Sequence, residues 1–201
     1  MKKRGEWYVP DIMEGPDRYL RGWAELQPGV RRVHAYRSVV QAGGHIGIFP
    51  RELAKLFKQV YTFEPEHENF LCLVHNVSAA NVFPMRALLG ETHSPKELRV
   101  GLRNTGGHSV GGAGPVPMFR IDDLGLRDCD AIVLDLEGYE FFALLGAMET
   151  IAHSYPLIVV EENKKARGQG FQPGALALLL GAHGYKQREK QGENLIFEVP
   201  R

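Results

Sequence analysis

The stretch Ser38–Pro50, SVVQAGGHIGIFP, constrains the rest of the chain most. A short apolar run ending in Gln41 passes through Gly43, Gly44 and Gly47 into residues with helical spacing, the pattern of a strand, a glycine turn and a helix start. Glycines there let the backbone turn tightly and approach a ligand, while the first amides of the helix point into the turn. An ordinary strand-to-helix connection needs no more than this. Glu64, which closes the next apolar run in QVYTFEPE, adds specificity. It follows Gly43 by close to the roughly 20 residues that separate a nucleotide-binding glycine turn from the carboxylate that accepts from two ribose hydroxyls.

A chain of 201 residues suits one α/β domain and is short for two of ordinary size. Lys plus Arg and Asp plus Glu are equal at 24 each, so no basic field draws the chain to nucleic acid, and a nucleic-acid partner is disfavoured. MKKRGEW carries positive charge without an apolar core behind it, so no signal peptide is expected, and no apolar run approaches the ~18 residues of a membrane span. Cys72 and Cys129 have no metal-ligand spacing and read as two buried thiols of a cytoplasmic protein.

Residues 1–37 read as an irregular N-terminal extension, a partial lid with one helix around 17–26, and its aromatics either cover a sheet edge or line a pocket. From there to residue 201 the pattern predicts a single domain. Strand 38–42, helix 47–58, strand 59–64, helix 66–77 with Phe70, Leu71 and Val74 inward, and strand 82–88 form its first half. A strand over 96–103 and a glycine-rich loop over 104–114 follow, then an extended segment to residue 121 and a turn capped by Asp122 and Asp123. Strand 130–136, helix 140–152, strand 156–162, helix 173–183 and a closing hairpin around 191–193 complete the chain. The expected fold class is α/β: a doubly wound, Rossmann-like, mostly parallel sheet with an antiparallel C-terminal hairpin.

In such sheets the ligand crevice lies at the carboxyl ends of the strands, where strand order reverses. That gathers 41–47, 64–66, 86–88 and 135–137. A nicotinamide cofactor needs Gly-x-Gly-x-x-Gly, but His45 and Ile48 interrupt it, and no Gly-Lys-Ser/Thr phosphate turn exists. S-adenosylmethionine, which has a ribose and a cationic end but no phosphate, fits better: Asp135 suits its cations, and the amides near Gly44 and His45 suit its carboxylate.

The blocks VVQAGGHIGIFPRELAKLFKQVYTFEPEHENFLCLVHN, NVFPMRALLGE, NTGGHS, VPMFRIDDL, IVLDLEGYEFFALLGAMETI and PLIVVEE, spread over residues 38–162, resemble the FkbM-type S-adenosylmethionine-dependent methyltransferases. The resemblance implies a class I methyltransferase fold and methylation of a hydroxyl on a small molecule or glycan. It also implies that the turn of Gln41, Ala42, Gly43, Gly44, His45 and Gly47 wraps the methionine part and that Glu64 binds the ribose. Pro65 would border the adenine, Arg86 and Ala87 would lie at its far edge, and Asp135 with Glu137 would stand near the methyl. The family usually has an acid at position 41 and Asn at position 45; Gln41 still accepts a hydrogen bond, so weaker cofactor binding is expected rather than none.

Removing a proton from the acceptor hydroxyl needs a base. Asp135 and Glu137 are the first candidates, with capping of the next helix as the structural alternative. His108, in the glycine loop, is a third, and Glu161 with Glu162 suits the substrate side. Glu140 falls in a first helical turn, where the helix dipole favours it without chemistry. Asp135, Glu137 and Glu162 could hold Mg²⁺, but metal-independent transfer is the expectation. The alternatives are a methyltransferase-like domain kept for binding or assembly, and an NAD(P)-dependent oxidoreductase.

Overall fold

The computed structural model describes residues 1–101, 105–162, 172 and 174–200. Its centre is a seven-stranded sheet. In chain order the strands are β1 (Ser38–Ala42), β2 (Gln59–Phe63), β3 (Val82–Met85), β4 (Cys129–Leu134), β5 (Leu157–Glu161), β6 (Lys186–Gln191) and β7 (Asn194–Glu198). Their spatial order is β6-β7-β5-β4-β1-β2-β3. β1 to β5 pair in parallel, while β7 runs antiparallel to both β5 and β6, the expected closing hairpin. Strand order reverses between β1 and β4, so a crevice opens there at the strands' carboxyl ends.

Both faces of the sheet are covered, and alternation along each strand divides the core in two. Val39, Val60, Ala131, Val133, Leu157 and Val159 meet α1 (Asp17–Val30), α2 (Ile48–Leu53) and α3 (His67–Asn76) on one side. Val40, Ala42, Ile132, Leu134, Ile158 and Val160 meet α4 (Glu140–Leu145), α5 (Met148–Ser154) and α6 (Ala175–Gly181) on the other. Cys72 and Cys129 are both buried and unpaired, as expected.

The N-terminal region is more ordered than the sequence suggests. Lys2–Arg4 and Trp7–Val9 form a hairpin, and Trp7 and Val9 are buried. Asn76, the last residue of α3, accepts from the Tyr8 amide and donates to the carbonyls of Tyr8 and Ile46, both at 2.7–2.8 Å, which ties this hairpin to the segment beside the glycine turn. Helix α1 continues to Val30, and Trp23 and Leu26 enter the core.

Other expectations shift. The inward face of α3 is Asn69, Cys72 and Leu73, while Leu71 and Val74 are exposed. The strand expected over 82–88 ends at Met85; Leu88–Leu89 instead pairs in parallel with Met118–Phe119. The helix expected over 140–152 is two helices, broken where Gly146 lies against the Gly90 carbonyl so closely that a Cβ would collide with it. Asp123 caps its own turn through the Arg120 amide, while Asp122 accepts from the Thr150 amide and hydroxyl, at 2.8 and 2.9 Å, and so anchors α5. Lys96–Arg99 pairs with Ser109–Ala113; residues 102–104 and 173, which the expected strand, loop and helix included, lie outside the described residues.

Candidate active site

The crevice is lined at its base by Gly43, Gly44, His45, Glu64, Pro65, Asp135 and Glu137. The close fit of β1 to β4 explains the glycine at 43: its φ is +82°, and a Cβ there would run into the Asp135 carbonyl. The amides of Gly43 and Gly44 both donate to the Phe63 carbonyl, at 3.1 and 2.9 Å, and the His45 amide donates to Glu64 Oε2 at 2.7 Å. The expected grip of an anionic cofactor group by the amides of Gly44 and His45 is therefore not available, because the protein itself uses both.

Glu64 is a carboxylate of the site oriented through both of its oxygens. It is 4% exposed, with Oε2 on the His45 amide and Oε1 on the Glu66 amide at 2.9 Å. Burial pushes its carboxyl up to about 7 against the opposing pull of those two amides and the Asn69 side chain. A second buried carboxylate holds the opposite turn: Glu140 accepts from the amides of Leu136, at 2.7 Å, and Gly138, at 3.3 Å. Burial raises it to about 7 as well. Its role exceeds the helix-dipole placement expected of it. The turn it braces is unusual, since Glu137 has φ +55° and Gly138 follows at +101°. The N-cap of α4 is Tyr139, with no side-chain cap bond.

His45 is also held at positive φ, +46°, with its ring stacked on Tyr19 of α1 at a centroid distance of 4.1 Å. Its Nε2 and the Thr105 hydroxyl are 2.9 Å apart. Burial drives the ring down to about 3, so it is neutral at physiological pH. His108 lines the same wall; its Nδ1 accepts from the Gly101 amide at 3.2 Å, and its Nε2 lies 3.4 Å from Asn69 Nδ2, which donates to the Thr105 carbonyl at 2.7 Å.

The structure brings Gly43, Gly44, His45, Glu64, Pro65, His108, Asp135, Glu137 and Glu161 to the crevice. Six expected residues do not line it. Gln41 is fully buried on the sheet face beneath the turn, where its Oε1 accepts from the Thr62 hydroxyl; Ala42 points into the opposite core layer. Gly47 is the N-cap of α2 and packs toward Leu73 and Val77. Arg86 is exposed and Ala87 is buried in the core, because the chain steps sideways after Met85; Leu88 and Leu89 line the crevice in their place. Glu162 accepts from the Gly174 amide instead. Arg18, Tyr19, Asn69, Thr105 and Tyr139 are lining residues that the sequence reading missed. Asn69 had a local signal, three positions after the N-cap Glu66; Arg18 and Tyr19 had none, because their place depends on how α1 docks.

The donor set fits an adenosine-bearing cofactor. Glu64 is an oriented acceptor, Leu88, Leu89 and Leu98 give an apolar wall, and two buried polar atoms of the lining, His45 Nδ1 and Asn69 Oδ1, have no hydrogen-bond partner among the described residues. Among the described residues, no group of three His, Cys, Asp or Glu is gathered as a metal would require.

The sheet order and the crevice at its switch point define a class I methyltransferase fold. The model of the methyltransferase FkbM domain matches residues 41–187, and the chain belongs to that family. Among solved structures it is similar to a methyltransferase FkbM from Methylobacillus flagellatus KT, with 16% identity and TM-score 0.53 over 81% of this chain and 43% of that one. The chain thus spans less than half the length of that relative. It is also similar to a precorrin 8w decarboxylase from Methanobacterium thermoautotrophicum, with 13% identity, TM-score 0.55 and all of both chains covered. A precorrin-6y C5,15-methyltransferase from Geobacter metallireducens GS-15 follows, with 11% identity, TM-score 0.53 and 97% and 94% covered. Comparison with curated protein sequences gives no match. Among the described residues no helix is long and apolar enough to cross a membrane.

Proposed function

We propose that the chain is an S-adenosylmethionine-dependent methyltransferase acting on a hydroxyl of a small molecule or glycan in the cytoplasm, without a metal. The observation that carries this reading is the Glu64 carboxylate, buried beside the crevice and aimed by the His45 and Glu66 amides. A carboxylate held in that way is an acceptor for the two hydroxyls of a ribose. Membership of the FkbM family supports the same assignment.

When bound, the cofactor supplies an electrophilic methyl group. The chain's own residues hold, align and deprotonate. Glu64 receives the ribose; Pro65, Leu88 and Leu89 border the base. Alignment of the reactants supplies about 7–11 kcal/mol. Asp135 and Glu137 are the carboxylates proposed to take the acceptor proton, with His108 as the third candidate, and a positioned base adds about 10²- to 10⁴-fold. His45 is not the base: burial lowers its pKa to about 3, and its ring serves as a wall. Residues 38–201 form the catalytic domain, and residues 1–37 are an extension that closes one side of it through α1.

One observation favours a second reading, a domain that binds cofactor without turnover. Gln41 takes the place of an acid and is sequestered by Thr62. An oxidoreductase is disfavoured, since the amides of Gly43 and Gly44, which would meet a pyrophosphate, are already bonded.

Calorimetry with S-adenosylhomocysteine tests the binding half: the wild type binds, and Glu64→Ala loses about 10²-fold, the range for a charged acceptor of two hydroxyls. Equal binding by both proteins overturns the site. Transfer of labelled methyl to a panel of hydroxylated acceptors separates catalysis from the binding-only reading.

A further inference from the structure

We propose that Arg18, from the N-terminal helix, is the residue that receives the carboxylate of the cofactor's amino-acid end; this rests on the methyl-donor reading above. Three features of the crevice point to it. First, the backbone donors that a glycine turn offers an anion are consumed, since Gly43 and Gly44 donate to Phe63 and His45 donates to Glu64. Second, Arg18 is the only Lys or Arg among the described residues lining the crevice, and it makes no hydrogen bond or ion pair with any described residue. A guanidinium at a cavity wall with no described carboxylate on it offers its five-donor fork to a ligand carboxylate.

The third feature is its place. Arg18 precedes Tyr19, whose ring stacks on His45 at the glycine turn, so α1 puts the two side by side over that turn. The charges of Arg18 on one hand and of Asp135 and Glu137 on the other all act on the Tyr19 hydroxyl. Among the described residues the wall therefore sets one positive and two negative groups around a single aromatic ring. That is the complement of a zwitterion: an α-carboxylate toward Arg18, and an ammonium toward Asp135. Gln41, the residue at the family's usual acid position, lies below the turn and cannot serve the ammonium from there. The charge selection that the glycine turn lacks comes from α1 and from the end of β4.

The test compares two probes that share the adenosine and differ in the amino-acid end: S-adenosylhomocysteine and 5′-methylthioadenosine, which has no carboxylate. Calorimetry is run on the full chain, as wild type, Arg18→Gln and Arg18→Lys. For Arg18→Gln the affinity for S-adenosylhomocysteine falls about 10- to 100-fold, as loss of a charge-assisted pair does, and methylthioadenosine binding is unchanged within about twofold. Arg18→Lys recovers part of the loss, because the charge stays and the fork does not. Undiminished S-adenosylhomocysteine binding by Arg18→Gln, or an equal loss for both probes, overturns the assignment of Arg18 and leaves the methyl-donor reading standing. Failure of the wild type to bind either probe overturns that reading and this one with it.

Discussion

Glu64 Oε2 accepts the amide hydrogen of His45 at 2.7 Å, a bond that spans 19 residues of sequence and joins the end of β2 to the turn after β1. It fixes the carboxylate and the turn as one unit. The backbone of His45 stands at positive φ, a conformation that costs an L residue about 1–2 kcal/mol, and this bond helps to hold it there.

Because burial raises Glu64 to about 7, ligand binding should titrate. Ribose hydroxyls donate to the ionised form, so affinity for S-adenosylhomocysteine should fall by about tenfold per pH unit below that value and level off above it. Calorimetry at pH 6 and 8 should show the difference, and Glu64→Gln should abolish it.

Stability should run the other way. Glu64 and Glu140 are both raised above the ordinary carboxylate range by burial, so the folded state holds protons that the unfolded state has lost. Their contribution is fully present below about pH 4.5 and is lost as pH rises toward about 7. Denaturant unfolding of the ligand-free protein should therefore show stability lower at pH 8 than at pH 5, by an amount on the order of 2–3 kcal/mol for each group before other titrations are added. Glu64→Gln should flatten the slope.

Glu140→Ala should strand the amides of Leu136 and Gly138. A loss of about 1–3 kcal/mol per unsatisfied amide is expected, read as a lowered Tm. Because the turn that carries Asp135 and Glu137 loosens with it, kcat should fall more than the affinity for S-adenosylhomocysteine. Glu140→Gln keeps an acceptor oxygen and should recover most of the stability.

At Gly43, an alanine meets both a φ of +82° and the Asp135 carbonyl. Gly43→Ala should lower stability by about 2 kcal/mol or more and weaken ligand binding with it. Thermal unfolding measures the first effect and calorimetry the second.

His45→Asn, the residue usual in the family, removes the ring that stacks on Tyr19 and meets Thr105. The backbone bond to Glu64 survives this change, so ribose binding should hold. Hydrogen exchange at residues 105–110 should quicken, because the contact between the His45 ring and Thr105 that helps to hold that wall is lost while the bond from Asn69 to the Thr105 carbonyl remains.

What was legible in the sequence was local. The runs ending at Gln41, Phe63 and Leu134 are buried on both faces and short, so they read as parallel strands, and the spacing from Gly43 to Glu64 pointed at the switch point. The residues that failed were those whose direction tertiary packing decides. Leu71 and Val74 face outward because α3 turns Asn69 toward the crevice, trading apolar burial for a polar wall. Leu88 and Leu89 replaced Arg86 and Ala87 because a second pairing, with Met118 and Phe119, captures the chain just after β3. Gln41 faced away from the crevice because alternation along β1 puts it on the sheet face against Thr62 of β2. Arg18 and Tyr19 had no motif to mark them; only the docking of a helix far upstream brings them in.

The most direct measurement is the structure of the protein crystallised with S-adenosylhomocysteine, read at the distances from the ribose hydroxyls to the Glu64 carboxylate. The account predicts both hydroxyls at hydrogen-bonding distance, about 2.5–3.0 Å, with the His45 and Glu66 amides still on the same carboxylate. A nucleoside seated elsewhere, or a Glu64 that keeps its two amides and meets no ribose, would contradict it.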